Sequence, residues 1–223
     1  MSAATHEEAR LREEICRVGA SLHARGYAHA TAGNISARLD DGFLITPTDA
    51  CLGALDPARL ARLDAEGRQL DGDRASKTLA LHRRIYTADA GARCVIHTHS
   101  THLVALTLQG VWRTDDILPP ITPYYVMKVG HVPLIPYHRP GDLAAAELVA
   151  QRIAAAQAAG APIRAVMLDR LGPNVWHDSP ASASAVLEEL EETAKLWLLG
   201  GHQAEPLPEV RIEELRQAFG ARW

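Results

Sequence analysis

Two histidines, His97 and His99, stand one residue apart at the end of an apolar run that begins at Cys94. In a β-strand, side chains two positions apart point to the same face, so the two imidazoles are expected to project side by side. Paired imidazoles can chelate a divalent cation, and they suit zinc, copper, iron and nickel. One core histidine beside one solvated histidine would give the same spacing, so the surrounding sequence has to distinguish the two cases.

Three loops upstream of the pair share small residues, hydroxyl or amide side chains and exposed backbone N–H groups. These loops are Gly33-Asn34, Thr46-Pro47-Thr48 and Ala75-Ser76-Lys77. Ser76 and Lys77 are predicted at a helix N-terminus, where the helix dipole and the free amides favour an anion such as phosphate. Taken alone, each loop is better explained by capping and turn chemistry, and none of them matches the P-loop or the dinucleotide-binding fingerprint.

Hydrophobic periodicity predicts that helices and strands alternate around these loops. The predicted helices cover about residues 5–25, 76–89, 101–108, 142–159, 182–199 and 209–219. The predicted strands cover about residues 31–39, 43–46, 94–99, 132–136 and 163–168, with 175–176 pairing nearby. Tight turns at 40–42 and 64–67 indicate hairpins, so the sheet is expected to be mixed. The chain is therefore predicted to be one α/β domain over residues 1–223, with the sheet between helical layers.

The composition is that of an ordinary globular protein, with 47% hydrophobic and 22% charged residues. The net charge of −4 gives no basic surface, so nucleic acid is not an expected partner. Cys16, Cys51 and Cys94 have no CxxC spacing and are expected to be reduced thiols. The N-terminus lacks the apolar core of a signal peptide and no apolar run reaches transmembrane length, which predicts a soluble cytoplasmic protein without a membrane partner.

The order of these motifs resembles the class II aldolase/adducin family, most closely its branch of 3-oxo-tetronate 4-phosphate decarboxylases. The resemblance rests on G-N-I-S at 33–36, T-P-T at 46–48, S-K at 76–77 and H-T-H-S at 97–100, with similar segments at 122–124, 132–137, 139–142 and 187–195. It extends from about residue 7 to 199. It implies a three-layer α/β/α fold with a mixed, mainly antiparallel sheet. It also implies a homotetramer with active sites at subunit borders, and a lyase acting on a small phosphorylated sugar or sugar acid.

The resemblance also implies roles for individual residues. His97 and His99 match the first two of three histidines that hold a divalent metal, for which zinc is the expected ion. The metal would bind substrate oxygens and stabilise the enediolate that forms as a C–C bond breaks. The residues that match the phosphate-binding positions are Asn34, Thr48, Ser76 and Lys77.

Two positions depart from the family pattern. Thr78 stands where the resemblance implies a catalytic glutamate, and a hydroxyl is not a carboxylate base. Leu171 stands where it implies the third histidine, and leucine cannot bind a metal. His138 or Asp169 could complete the metal site, although a surface or hydrogen-bonding role is the simpler explanation for each. Tyr124 is a candidate proton donor.

These observations leave two main functions open. The first is a metal-dependent aldolase or decarboxylase acting on a small phosphorylated sugar acid, such as 3-oxo-tetronate 4-phosphate. The second is a diverged member that binds a phosphorylated ligand or a partner without C–C cleavage, which the replacements at Thr78 and Leu171 favour. A different reaction in the same pocket, such as isomerisation, dehydration or oxidation, is a third hypothesis.

Overall fold

The computed structural model describes the backbone of residues 3–223 and the side chains from residue 6 onward. Its α-helices are α1 (Ala3–Ala24), α2 (Leu79–Ala88), α3 (Thr101–Gln109), α4 (Leu143–Ala158), α5 (Pro180–Leu199) and α6 (Glu209–Phe219). Its strands are β1 (Asn34–Leu39), β2 (Gly42–Ile45), β3 (Ala61–Asp64), β4 (Gln69–Asp71), β5 (Cys94–His97), β6 (Leu134–Ile135), β7 (Ala165–Leu168) and β8 (Gly172–His177). A π-helical turn spans Tyr125–Val129, inside the segment before β6.

The strands of residues 3–223 form one sheet in the order β4-β3-β2-β1-β5-β8-β7-β6. Neighbouring strands are antiparallel except β6 and β7, which are parallel. The mixed, mainly antiparallel sheet predicted from the sequence is therefore confirmed. The predicted strand at 132–136 supplies β6 at the edge of the sheet, a position that tolerates prolines because a proline has no N–H to donate to a neighbouring strand.

Helices cover both faces of this sheet. Alternation along each strand sends Ile35, Ile96 and Val175 to one face, where they share a core with α1, α3 and α5. The next residues, including Val95 and Trp176, point to the other face and pack beneath α2 and α4. The predicted three-layer α/β/α architecture is confirmed.

Helix ends follow local capping chemistry. The side chain of Asp142 accepts a hydrogen bond from the backbone N–H of Ala144, and that of Ser179 accepts one from Ser182. Pro180 fits the first turn of α5 because proline lacks the N–H that would be unpaired there. This cap starts α5 two residues earlier than predicted.

Two predicted boundaries near the histidine pair were wrong. Helix α2 begins at Leu79 and not at Ser76, because residues 76–78 form a turn in which Ser76 Oγ lies 2.9 Å from Thr78 Oγ1. Serine and threonine hydroxyls that bond locally in this way compete with helix formation. Strand β5 ends at His97, so His99 lies in the connection to α3.

The cysteines are free thiols, as expected. Within the described part of the chain, helices do not combine the length and the apolar composition that a membrane span requires.

Candidate active site

A row of buried polar side chains crosses three neighbouring strands. Asn34 at the start of β1 pairs with His97 at the end of β5, and His97 pairs with Asn174 of β8. Directly opposed residues of an antiparallel sheet share a face, and this face is the one beneath α2 and α4. Each of the three residues is at most 5% exposed. The sheet register therefore places two amides on either side of one imidazole.

The row lines a cavity of about 170 Å³ between the sheet, α2 and α4. Other residues that line it include Lys77, Thr78, His99, His138, Asp169 and Leu171. The fold thus collects most of the predicted site residues in one place, although they come from five separate segments of the chain.

The imidazoles of His97 and His99 lie close together, with ring centroids 5.1 Å apart and ring planes at 68°. His97 Nδ1 is 2.8 Å from the carbonyl oxygen of Pro173. A carbonyl only accepts, so Nδ1 carries the proton and donates, which leaves the lone pair on Nε2. Metal-binding histidines are usually oriented by such a bond from the other ring nitrogen.

Both imidazoles are held in the neutral form that can bind a metal. Burial, with a smaller effect from His99, lowers the pKa of His97 from 6.5 to about 4. Burial, followed by the nearby His29 imidazole, also lowers the pKa of His99. His29 is an exposed residue whose ring centroid lies 6.3 Å from that of His99, a neighbour that the sequence patterns did not indicate.

The residues of the cavity fit a divalent cation only in part. His97 and His99 could supply two nitrogen donors. No group of three or more His, Cys, Asp or Glu side chains that could hold a metal ion occurs among the residues described. His138 and Asp169 also line the cavity. His138 Nδ1 lies 2.7 Å from the Pro136 carbonyl oxygen, a bond that leaves Nε2 free, as in His97.

Leu171 presents an apolar side chain to the cavity. Its neighbour Gly172 packs against the end of β5, with φ of +141°. A Cβ atom at position 172 would lie 1.9 Å from the Thr98 carbonyl oxygen and 3.2 Å from His99 Cα. This close backbone approach requires glycine and brings the turn that carries Leu171 against the histidine pair.

The predicted phosphate-binding residues separate into two groups. Asn34 and the exposed Lys77 line the cavity. Ser76 does not line it, and its hydroxyl is engaged with Thr78. Thr48 lies in a separate surface depression, where its backbone N–H donates to the Arg74 carbonyl oxygen at 2.8 Å. The structure therefore brings two of the four residues to the histidines.

Tyr124, the candidate proton donor, is 57% exposed and is not one of the residues that line the cavity. Within the single chain, Tyr124 is therefore not part of the cavity that contains the histidine pair.

Asn174 is the site residue that sequence reasoning missed. It is fully buried, yet neither its Oδ1 nor its Nδ2 has a hydrogen-bond partner within the described structure. Buried amides normally have partners. The sequence contains one indication of this residue, an amide side chain inside the otherwise apolar stretch 172–176. The face of the sheet to which this side chain points depends on the pairing of β8 with β5.

The fold and the paired imidazoles beside an amide and a lysine are those of a class II aldolase-type domain. A model of the class II aldolase and adducin N-terminal domain matches residues 13–198. The match covers most of the chain, which therefore belongs to the class II aldolase/adducin family. This family generally uses a divalent metal.

The relatives place the chain in the decarboxylase branch of the family. It is 60% identical to the 3-oxo-tetronate 4-phosphate decarboxylase of Cupriavidus necator, over 97% of this chain and 99% of that protein. It is 43% identical to the enzyme of the same name from Escherichia coli K12, over 97% and 100%. The crystal structure of YgbL from Escherichia coli superimposes with a TM-score of 0.85 at 42% identity, covering 94% of this chain and 99% of that one.

Proposed function

We propose that this chain is a metal-dependent lyase that releases CO₂ from a small phosphorylated 3-oxo sugar acid, with 3-oxo-tetronate 4-phosphate as the first substrate to test. The observation that carries the proposal is the cavity that joins His97 and His99 to Asn34 and Lys77. The identity to 3-oxo-tetronate 4-phosphate decarboxylases over nearly the whole chain supports it.

The replacement at Thr78 favours decarboxylation over aldol cleavage. Aldol cleavage begins when a base removes a hydroxyl proton, and a threonine hydroxyl cannot act as that base near neutral pH. Loss of CO₂ from a 3-oxo acid begins from a carboxylate that is already ionised, so no base is needed before the C–C bond breaks. A cavity that contains Thr78 in place of a carboxylate remains suited to the second reaction.

The residues of the cavity have separate roles in binding the cation and the substrate. A divalent cation bound by His97 and His99 would supply Lewis-acid stabilisation of the negative charge that develops on the substrate oxygens. Lys77 and Asn34 would hold the phosphate through a charge-assisted hydrogen bond and an amide N–H. The Pro173 carbonyl would keep the His97 ring in its orientation.

Several further features are proposed on the family resemblance. They are zinc as the resident cation, a third ligand from His138 or Asp169, a homotetramer, a cytoplasmic location and a single domain over 1–223. In the tetramer, Tyr124 would serve as a proton donor to the cavity of a neighbouring subunit.

The test is an assay of CO₂ release from 3-oxo-tetronate 4-phosphate with zinc, manganese or cobalt supplied. We expect turnover that is lost in His97→Ala and His99→Ala, together with bound metal measured by elemental analysis. The control variant His177→Ala changes the last residue of β8 and should retain both CO₂ release and the bound metal. If the Cupriavidus necator relative releases CO₂ under the same conditions and this chain does not with any of these ions, the proposal is wrong.

The second candidate is a diverged member that binds a phosphorylated ligand without cleavage. The specific observation in its favour is Leu171 facing the cavity where the resemblance implies a metal ligand. It predicts that a sugar phosphate raises the melting temperature while CO₂ release stays at the uncatalysed rate. Turnover that depends on His97 would exclude it.

A further inference from the structure

Asn174 is a polar group that the structure leaves without a partner. Its side chain is fully buried, lines the cavity and has no hydrogen-bond partner at either amide atom among the residues described. An unpaired buried amide is destabilising, whereas a polar ligand in the cavity can satisfy both atoms. The position of Asn174 therefore indicates a contact with a ligand.

Asn174 and the proposed phosphate contacts lie on opposite sides of His97. The strand order β2-β1-β5-β8 puts Asn34 on one side of His97 and Asn174 on the other. The loops at 46–48 and 75–77 lie on the Asn34 side, because Thr46 Oγ1 accepts from Ile35 N at 3.2 Å and the Thr46 carbonyl accepts from Ser76 N at 3.3 Å. Lys77 therefore enters the cavity from the Asn34 side.

The row formed by Asn34, His97 and Asn174 has a length that suits a short extended ligand. Neighbouring strands are about 4.8 Å apart, so Asn34 and Asn174 lie roughly 10 Å apart across β5. A chain of four carbons spans roughly 4 Å at about 1.5 Å per bond, and a terminal phosphate and a terminal carboxylate lengthen it at both ends. A molecule of this size can contact all three side chains at once.

We propose that Asn174 recognises the substrate carboxylate, while the phosphate lies at Asn34 and Lys77 and the oxygens between them face His97. This assignment rests on the proposed function, and it fixes the direction in which the sugar acid lies across the sheet. The Nδ2 group of Asn174 donates to a carboxylate oxygen, which is an acceptor only. Its Oδ1 accepts from the hydroxyl on the carbon next to the carboxylate, so that both unpaired amide atoms are satisfied.

A neutral amide suits a carboxylate that must leave as CO₂. An arginine or lysine would pair with the carboxylate charge and stabilise the bound substrate more than the transition state, in which that charge moves away. An amide orients the same group through a weaker hydrogen bond. Asn174 thus acts as a specificity-determining residue and takes no part in proton transfer.

Two ligands that cannot lose CO₂ in this way provide the test. One is a tetronate 4-phosphate with a hydroxyl in place of the 3-oxo group, and the other is the matching tetritol 4-phosphate, which has an alcohol in place of the carboxylate. Calorimetric dissociation constants should show that Asn174→Leu weakens the acid about tenfold or more, the effect of losing one hydrogen bond to a charged group. Binding of the alcohol should change by less than about threefold.

Asn34→Leu is the matched control, because it removes the amide at the other end of the row. It should weaken both ligands by similar factors. Asn174→Asp keeps the side-chain shape and adds a negative charge, so it should weaken the acid more than the alcohol. This variant also serves if Asn174→Leu fails to fold by circular dichroism.

The outcomes separate the two proposals. If both ligands bind the unaltered protein and the Asn174 variants leave acid binding unchanged, or weaken both ligands alike, Asn174 does not recognise the carboxylate. If neither ligand binds the unaltered protein at millimolar concentration, the proposed substrate class itself is wrong, and the assignment of Asn174 is wrong with it.

Discussion

Leu171 lines the same cavity as the imidazoles of His97 and His99, and this cavity is also lined by two amide side chains and a lysine. Leucine adds no donor, so the affinity of the site for a cation depends on His97, His99 and the ligands that water or substrate provides. A catalytic metal site with three protein ligands and one open position is the usual arrangement for zinc. The affinity of this chain for zinc is expected to be lower than that of a site with three protein ligands.

The variant Leu171→His should raise the affinity for zinc. The change adds an imidazole beside the pair, and we expect an increase of about tenfold or more, since even partners of metal ligands change affinity by 10–100-fold. Competition with a chromogenic chelator measures the affinity directly. Leu168→His is the matched control, because Leu168 also lines the cavity. Equal affinities for the unaltered protein and Leu171→His would show that Leu171 is not at the metal position.

The variant Thr78→Val tests whether proton transfer at this position contributes to the reaction. Valine keeps the shape of threonine and removes the hydroxyl, so CO₂ release should stay within about threefold if no base is needed. General acid–base residues typically contribute 10²–10⁴-fold. A loss of that size in kcat, in a variant with an unchanged melting temperature, would assign a proton-transfer role to Thr78.

A buried polar cluster joins helix α2 to strand β1 near the cavity. His82 of α2 is fully buried, and its Nδ1 lies 2.7 Å from Ser36 Oγ, which in turn lies 2.7 Å from the Tyr86 hydroxyl. Burial lowers the pKa of His82 from 6.5 to about 3. The imidazole is therefore neutral in the folded protein and orders α2 over the sheet face that carries His97.

This cluster predicts acid sensitivity of the metal-free protein. Below about pH 6.5 the unfolded chain binds a proton at His82 that the folded chain does not bind, until the pH approaches 3. The free energy of unfolding should therefore fall as the pH falls, by about 1.4 kcal/mol per pH unit for this group. His97 adds a second such group between about pH 6.5 and 4.

Urea unfolding between pH 4.5 and 7, with a chelator present, measures this slope. His82→Gln should reduce this slope of the free energy of unfolding against pH by the contribution of the one proton that binds at His82. His6→Gln, a change at an exposed histidine of α1, is the control. A slope that His82→Gln leaves unchanged would show that His82 is not the group responsible.

At the scale of the whole molecule, apolar side chains remain exposed on the single chain. Leu196 and Leu199 at the end of α5 are 50% and 76% exposed, and Phe219 at the end of α6 is 69% exposed. Association with further chains would remove such side chains from water. The proposed tetramer predicts a mass by light scattering of about four times the 24.2 kDa of one chain. A monomer would also exclude a proton-donor role for Tyr124 in a neighbouring subunit.

The sequence predicted the fold well because hydrophobic periodicity is a local signal. Helix α6 occupies the predicted residues 209–219, and the edge position of β6 follows from its prolines. The start of α2 was wrong because side chains in the turn at 76–78 bond to each other.

The site was predicted less completely than the fold. The spacing of His97 and His99 was sufficient to predict their proximity, even though β5 ends between them. Thr48 belongs to a loop whose composition is typical of phosphate-binding loops, but it lines a separate depression outside the cavity. The role of Asn174 depends on the pairing of β8 with β5, about 80 residues earlier in the chain, and no local pattern encodes that register.

The row of Asn34, His97 and Asn174 has a consequence for how this site can evolve or be engineered. Side chains alternate between faces along a strand, so a shift of β8 by one residue against β5 would turn Asn174 toward α5 and Val175 toward the cavity. Val175 and Trp176 are buried on opposite faces of the sheet, and this pattern specifies the register strongly. Changes of length in the turn between β7 and β8 are therefore expected to keep the amide beside His97 only where they leave the pairing of β8 with β5 unchanged.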